Sequence, residues 1–148
     1  MNQYEEICKD MGQRAKVASF ELAQIDQGTL DSALLAIADA VEAQTDEIMA
    51  ANQLDLDKSG DYNVPQTMID RLTLTPSRIS QMAEGVRQVA SIESPVGSVI
   101  ETITRPNGLV IEKRAVPFGV IGIIFEARPN VTIDAGVLCL KTANATIL

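Results

Sequence analysis

Pro117-Phe118-Gly119-Val120-Ile121-Gly122-Ile123-Ile124-Phe125-Glu126-Ala127-Arg128-Pro129-Asn130, continued by residues 131–148, decides the fold of this chain. Val, Ile and Phe follow one another there without polar alternation. That is the pattern of a strand covered on both faces, as in a parallel sheet. A tight polar turn, a short helix and the opening of a second strand at Thr146-Ile147-Leu148 come next. Such a strand–helix–strand unit closes onto a parallel sheet, and ligands gather at the carboxyl ends of its strands. Here that end carries Glu126, Arg128 and Asn130. The expected class is α/β.

Upstream the period is helical. Residues 3–24 place Ile7, Met11, Ala15, Ala18 and Leu22 on one face. A longer helix is predicted over residues 31–54, with the stripe Leu34, Ile37, Val41, Thr45 and Ile48. Its opposite face, Asp39, Glu42, Asp46 and Glu47, is expected to be solvated. Pro65 is expected at the first position of a short helix. Thr75-Pro76 is a sharper start signal, for a helix reaching about residue 91 with Ile79, Met82, Val86 and Val89 inward. Beyond Gly97 two extended runs flank Arg105-Pro106-Asn107-Gly108, and Asn-Gly is a strong hairpin signal. That polar hairpin is expected to reach a neighbouring molecule rather than stand alone.

Composition narrows the function. The 148 residues suffice for one ordinary core, or are a piece of something larger. Hydrophobic residues make up 46% but aromatics only 3%, so Ala, Leu, Ile and Val carry the interior, which suits helices and parallel strands. A net charge of −8 argues against nucleic-acid backbones and leaves no basic stripe for a membrane surface. The longest apolar run is too short to span a bilayer. Met1-Asn2-Gln3-Tyr4-Glu5-Glu6 lacks the basic start and apolar block of a secretion signal, so the expected location is cytoplasmic. There is no His, which removes the commonest general base and zinc ligand, and Cys8 and Cys139 alone make no metal site. No metal and no disulfide framework are expected.

Cys139 falls mid-helix between Leu138 and Leu140 and reads as a small buried hydrophobe. Cys8 has Glu5 and Glu6 nearby, which disfavour its thiolate. Gly119 and Gly122 fall before and inside the strand rather than between strand and helix, so they form no phosphate cradle. They are expected to let a backbone or ligand approach. Glu126-Ala127-Arg128-Pro129-Asn130 is the better candidate. Arg128 suits a bidentate clamp on phosphate or carboxylate, and Asn130 an amide donor to a developing oxyanion. An equal alternative is that Arg128 pairs with Glu126 or Asp134 while Asn130 merely caps the helix.

Ile69-Asp70-Arg71-Leu72-Thr73-Leu74-Thr75, Gly85-Val86-Arg87-Gln88-Val89, Ser94-Pro95-Val96-Gly97, Arg105-Pro106-Asn107-Gly108-Leu109 and the run 116–132 together resemble one family. It is the gamma-glutamyl phosphate reductases, or glutamate-5-semialdehyde dehydrogenases, of the aldehyde dehydrogenase superfamily. The resemblance implies an N-terminal portion of such an enzyme. Residues 1–97 would be the helical lead into the cofactor domain, 98–117 a β-hairpin oligomerisation arm, and 118–148 the first β-α-β unit of a Rossmann-type NADP-binding domain. The implied chemistry is NADPH-dependent reduction of L-glutamyl 5-phosphate to glutamate 5-semialdehyde, releasing phosphate, in proline biosynthesis. It proceeds through a cysteine thioester.

Neither Cys8 nor Cys139 matches the family's nucleophile, so the chain alone is expected to be inactive. By the same resemblance Phe125, Glu126 and Ala127 match the cofactor side of the turn, and Arg128 and Asn130 its substrate side. Either of the latter two occupies the oxyanion position. Homo-oligomers through the hairpin are implied as well. Two alternatives stay open: another acylating aldehyde dehydrogenase, such as a coenzyme-A-acylating one, and a non-catalytic oligomerising module.

Overall fold

The computed structural model describes residues 2–126 and 128–148. Their elements run α1 (Gln3–Leu22), α2 (Gln27–Ala43), α3 (Thr45–Lys58), α4 (Gln66–Leu72), α5 (Pro76–Ser91), β1 (Val99–Thr104), β2 (Val110–Arg114), β3 (Val120–Gly122), α6 (Asn130–Lys141) and β4 (Ala145–Ile147). The fold is α/β, mostly helical with two small sheets. Among the described residues no helix is long and apolar enough to cross a membrane.

The core lies where α2 packs on α5. Leu34, Ala38 and Val41 meet Ile79, Met82, Ala83, Val86 and Ala90, and Val137 of α6 joins them. Small side chains at Ala38, Ala83 and Ala90 let the helices approach closely. The starts of both helices are fixed by side-chain caps. Asp26 accepts from the Thr29 N–H at 3.0 Å, and the Thr75 hydroxyl accepts from the Arg78 N–H at 3.2 Å. Each satisfies an amide that the helix itself leaves unpaired. The Thr75-Pro76 start is therefore as the sequence predicts, whereas Pro65 sits one residue outside α4, in an extended conformation.

The helix expected over residues 31–54 is two helices. It breaks at Gln44, whose φ of −99° and ψ of 18° leave the helical region. At the break the Thr45 hydroxyl donates to the Glu42 carbonyl at 2.7 Å, a local bond that competes with the helical ladder. Asp46 and Glu47 then fall in the first turn of α3, where the helix dipole favours acids. The acidic face is also not wholly solvated. Arg87 of α5 reaches across to Asp39 at 2.9 Å and Glu42 at 2.7 Å, and its guanidinium holds the Glu42 carboxyl below the usual range.

β1 and β2 form an antiparallel hairpin with every residue of both strands exposed. Its tip is a three-residue loop. The Gly108 N–H donates to the Arg105 carbonyl at 2.9 Å, and Gly108 takes the left-handed φ of +85° that closes such loops.

β3 and β4 pair in parallel, Val120 opposite Ala145 through Gly122 opposite Ile147, with α6 as the crossover. The strand–helix–strand unit is present, but its first strand is not covered on both faces. Exposure alternates: Ile121 and Ile123 are half-buried, while Val120, Gly122 and Ile124 are exposed. Helices α1 and α6 pack on this two-stranded sheet and leave one face open. An apolar run marks a strand without fixing how many layers cover it. Gly119 has φ +103°, so its role is the turn into β3; a side chain at Gly122 would meet nothing within 4 Å among the described residues.

Candidate functional site

Past β3 the chain stays extended for one more backbone bond, from the Ile123 N–H to the Ile147 carbonyl at 2.9 Å. It then leaves the sheet and enters α6 at Asn130. Arg128 and Asn130 line one cleft of about 410 Å³, facing Asp70, Arg71, Thr73, Leu74 and Arg78 of the α4–α5 corner, with Gln81, Met82 and Asp134. The two residues that the sequence singles out for the substrate side are thus brought together. Phe125 is partly exposed and Glu126 exposed on the approach, and neither lines the cleft. Ala127 lies outside the described residues.

Asn130 is the first helical residue and not the cap; its amide donates to Asp134 at 2.9 Å. That bond uses one of two amide hydrogens and leaves the other available. Among the described residues Arg128 has no ion-pair partner within 4 Å, neither Glu126 nor Asp134.

The opposite wall is built by residues that local sequence patterns did not reveal. Buried Asn52 of α3 donates to the Leu72 carbonyl at 2.9 Å and accepts from the Leu74 N–H at 2.8 Å, clamping the chain between α4 and α5. Arg78 closes the same corner, donating to the carbonyls of Asp70 at 2.6 Å and Thr73 at 2.5 Å. The corner therefore presents Arg71 outward from a fixed backbone.

Two more polar residues fix the βαβ unit, one against the helices and one within itself. Lys141, at the end of α6, is buried and donates to Asp31 of α2 at 2.6 Å and to the Ala90 carbonyl of α5 at 2.8 Å. This ammonium holds the Asp31 carboxyl below its ordinary range. Asn144 accepts from the Gly119 N–H at 2.8 Å and so ties the start of β3 to the end of α6. Cys139 is buried and Cys8 exposed; neither lines the cleft. Among the described residues no three His, Cys, Asp or Glu side chains are grouped to hold a metal ion.

Ile124 and Phe125 offer exposed apolar surface at the carboxyl end of β3, and Glu126 a single polar chain. Between Ile123 and Asn130 the only cation is Arg128, which belongs to the cleft. Such a surface would suit a flat, partly apolar ring, and among the described residues it holds no cation for a phosphate. A second groove of about 640 Å³ runs between α1, α6 and β4, with Met11, Leu22, Leu140 and Ile147 in its lining and Arg14 as its one charged side chain among the described residues. It is mainly apolar, unlike the cleft.

No protein-family model matches the chain. It is 52% identical over 138 residues to the gamma-glutamyl phosphate reductase of Opitutus terrae, covering 93% of this chain and 32% of that protein. The crystal structure of gamma-glutamyl phosphate reductase from Thermotoga maritima superposes with a TM-score of 0.87 at 34% identity, over 90% of this chain and 32% of that one. The Saccharomyces cerevisiae enzyme gives 0.88 at 31% identity, over 100% of this chain and 37% of its own. The chain spans about a third of the length of the relatives it matches. By sequence and by fold it corresponds to an N-terminal portion of the gamma-glutamyl phosphate reductases it matches.

Proposed function

We propose that this chain supplies the acyl-phosphate-recognising part of an NADPH-dependent glutamyl phosphate reductase, which forms glutamate 5-semialdehyde for proline biosynthesis. The observation that carries the reading is the meeting of Arg128 and Asn130 at the carboxyl side of β3 in one cleft. Arg128, unpaired among the described residues, neutralises the phosphate of L-glutamyl 5-phosphate with its planar fork. Asn130, oriented by Asp134, directs its remaining amide hydrogen at the acyl oxygen as negative charge develops there. Hydride is the chemistry a bound NADPH supplies, and Phe125 and Glu126, with Ala127, would hold its nicotinamide end.

The attacking thiolate comes from neither Cys8 nor Cys139, so these 148 residues alone do not turn over. The exposed hairpin supports a homo-oligomer: Ile100, Val110 and Ile111 stand in solvent on a two-stranded ribbon, where a second copy would cover them. The direct test titrates the chain with inorganic phosphate. Arg128→Met is expected to weaken binding about tenfold without lowering the melting temperature. Unchanged phosphate affinity in Arg128→Met, or oxidation of NADPH by the purified chain with L-glutamyl 5-phosphate, would overturn the reading.

A further inference from the structure

Three arginines line the cleft, and they are not equivalent. Arg78 is committed to the fold: it donates to two backbone carbonyls and lies 3.5 Å from the Asp70 carboxylate. Arg71 is different. It sits in the last turn of α4, is exposed, and among the described residues has neither a hydrogen bond nor an ion pair from its side chain. Arg128 has the same uncommitted character on the side of the cleft formed by the β3–α6 turn. In a chain of net charge −8, two unpaired guanidiniums in one concave surface form a local exception. Such a pair suits a ligand with two separate anionic ends better than a single small anion.

We infer that Arg71 is the specificity residue for the α-carboxylate of an acidic amino-acid substrate, while Arg128 takes the phosphoryl end. The inference rests on the reading of the cleft given above. Asp134 supplies the complementary charge. Its one carboxylate oxygen is engaged by Asn130, and the other is left to accept from the substrate α-ammonium. A substrate with both an α-carboxylate and an α-ammonium is thereby favoured over a plain dicarboxylate. The recognition wall belongs to the α4–α5 corner, held by Asn52, and the reacting wall to the βαβ unit. The carboxylate contact thus belongs to the α4–α5 corner, and the ammonium contact shares the βαβ unit with the chemistry.

The test uses two probes on the full chain, L-glutamate and inorganic phosphate, with glutarate as the control that lacks the ammonium. Arg71→Met is expected to weaken L-glutamate about tenfold and to leave phosphate within about twofold, whereas Arg128→Met weakens phosphate about tenfold. Arg71→Lys recovers only part of the loss, because an ammonium lacks the bidentate fork. L-glutamate is expected to bind more tightly than glutarate, and Asp134→Asn to remove that preference. If Arg71→Met leaves L-glutamate binding unchanged while Arg128→Met still weakens phosphate, the inference falls and the reading of the cleft stands. If wild-type chain binds neither probe, both fall. Because Arg71 makes no side-chain bond in the fold, its variants should melt with the wild type, which separates lost recognition from lost structure.

Discussion

Lys141 and Asp31 are 110 positions apart and joined at 2.6 Å, and their removal should have unequal consequences. The Lys141 side chain is 5% exposed and that of Asp31 33%. Lys141→Met keeps the stem and deletes the charge. The orphan is then Asp31, which still accepts from Gln27 at 2.7 Å and is reached by water. A lost charge-assisted hydrogen bond is worth about 1.5–3 kcal/mol, and this partial rescue places the cost at about 1–2 kcal/mol. Asp31→Ala leaves a nearly buried ammonium with, among the described residues, only the Ala90 carbonyl, and orphaned buried charges cost about 3–5 kcal/mol. The double variant has no orphan charge and should be more stable than Asp31→Ala alone. Urea unfolding followed by circular dichroism measures all three, with the m-value unchanged. An Asp31→Ala cost equal to or below that of Lys141→Met would refute the reasoning, as would a double variant less stable than Asp31→Ala.

The same pair predicts a pH window. The folded Asp31 carboxyl lies below its ordinary value of 3.8, so its contribution is complete above about pH 5 and is lost as pH falls through the folded value. The stability gap between wild type and Lys141→Met should therefore be flat from roughly pH 8 to 5 and shrink below about pH 4. Gly85 lies inside α5 where an added side chain meets nothing within 4 Å, so Gly85→Ala should raise stability by about 0.5–1 kcal/mol in the same assay. Asn52→Ala removes two bonds to the α4–α5 corner and should cost about 2–3 kcal/mol, with a loss of L-glutamate affinity even where the chain remains folded.

What the sequence disclosed is what local chemistry encodes. Thr75-Pro76 announces α5 because a hydroxyl cap and a pre-set φ act within one turn. Asn107-Gly108 announces the hairpin because its tip needs a residue with positive φ. The turn 126–130 stood out as a candidate site because it follows an apolar strand directly. The opposite wall was not legible by the same logic. Asn52 acts on Leu72 and Leu74 through space, and nothing near residue 52 marks it out from any helical asparagine. Lys141 looks like an ordinary basic residue in a last helical turn until the fold buries it on Asp31 and Ala90. The break at Gln44 was hidden because the apolar stripe runs through it, and only the Thr45 hydroxyl bond reveals the stop.

The most direct test of the account is a backbone amide NMR map of the wild-type chain titrated with inorganic phosphate. The account predicts saturating shift changes confined to residues 70–82 and 128–134, the two walls of the cleft. Changes centred on the groove between α1 and β4, or no saturable change at all, would contradict it.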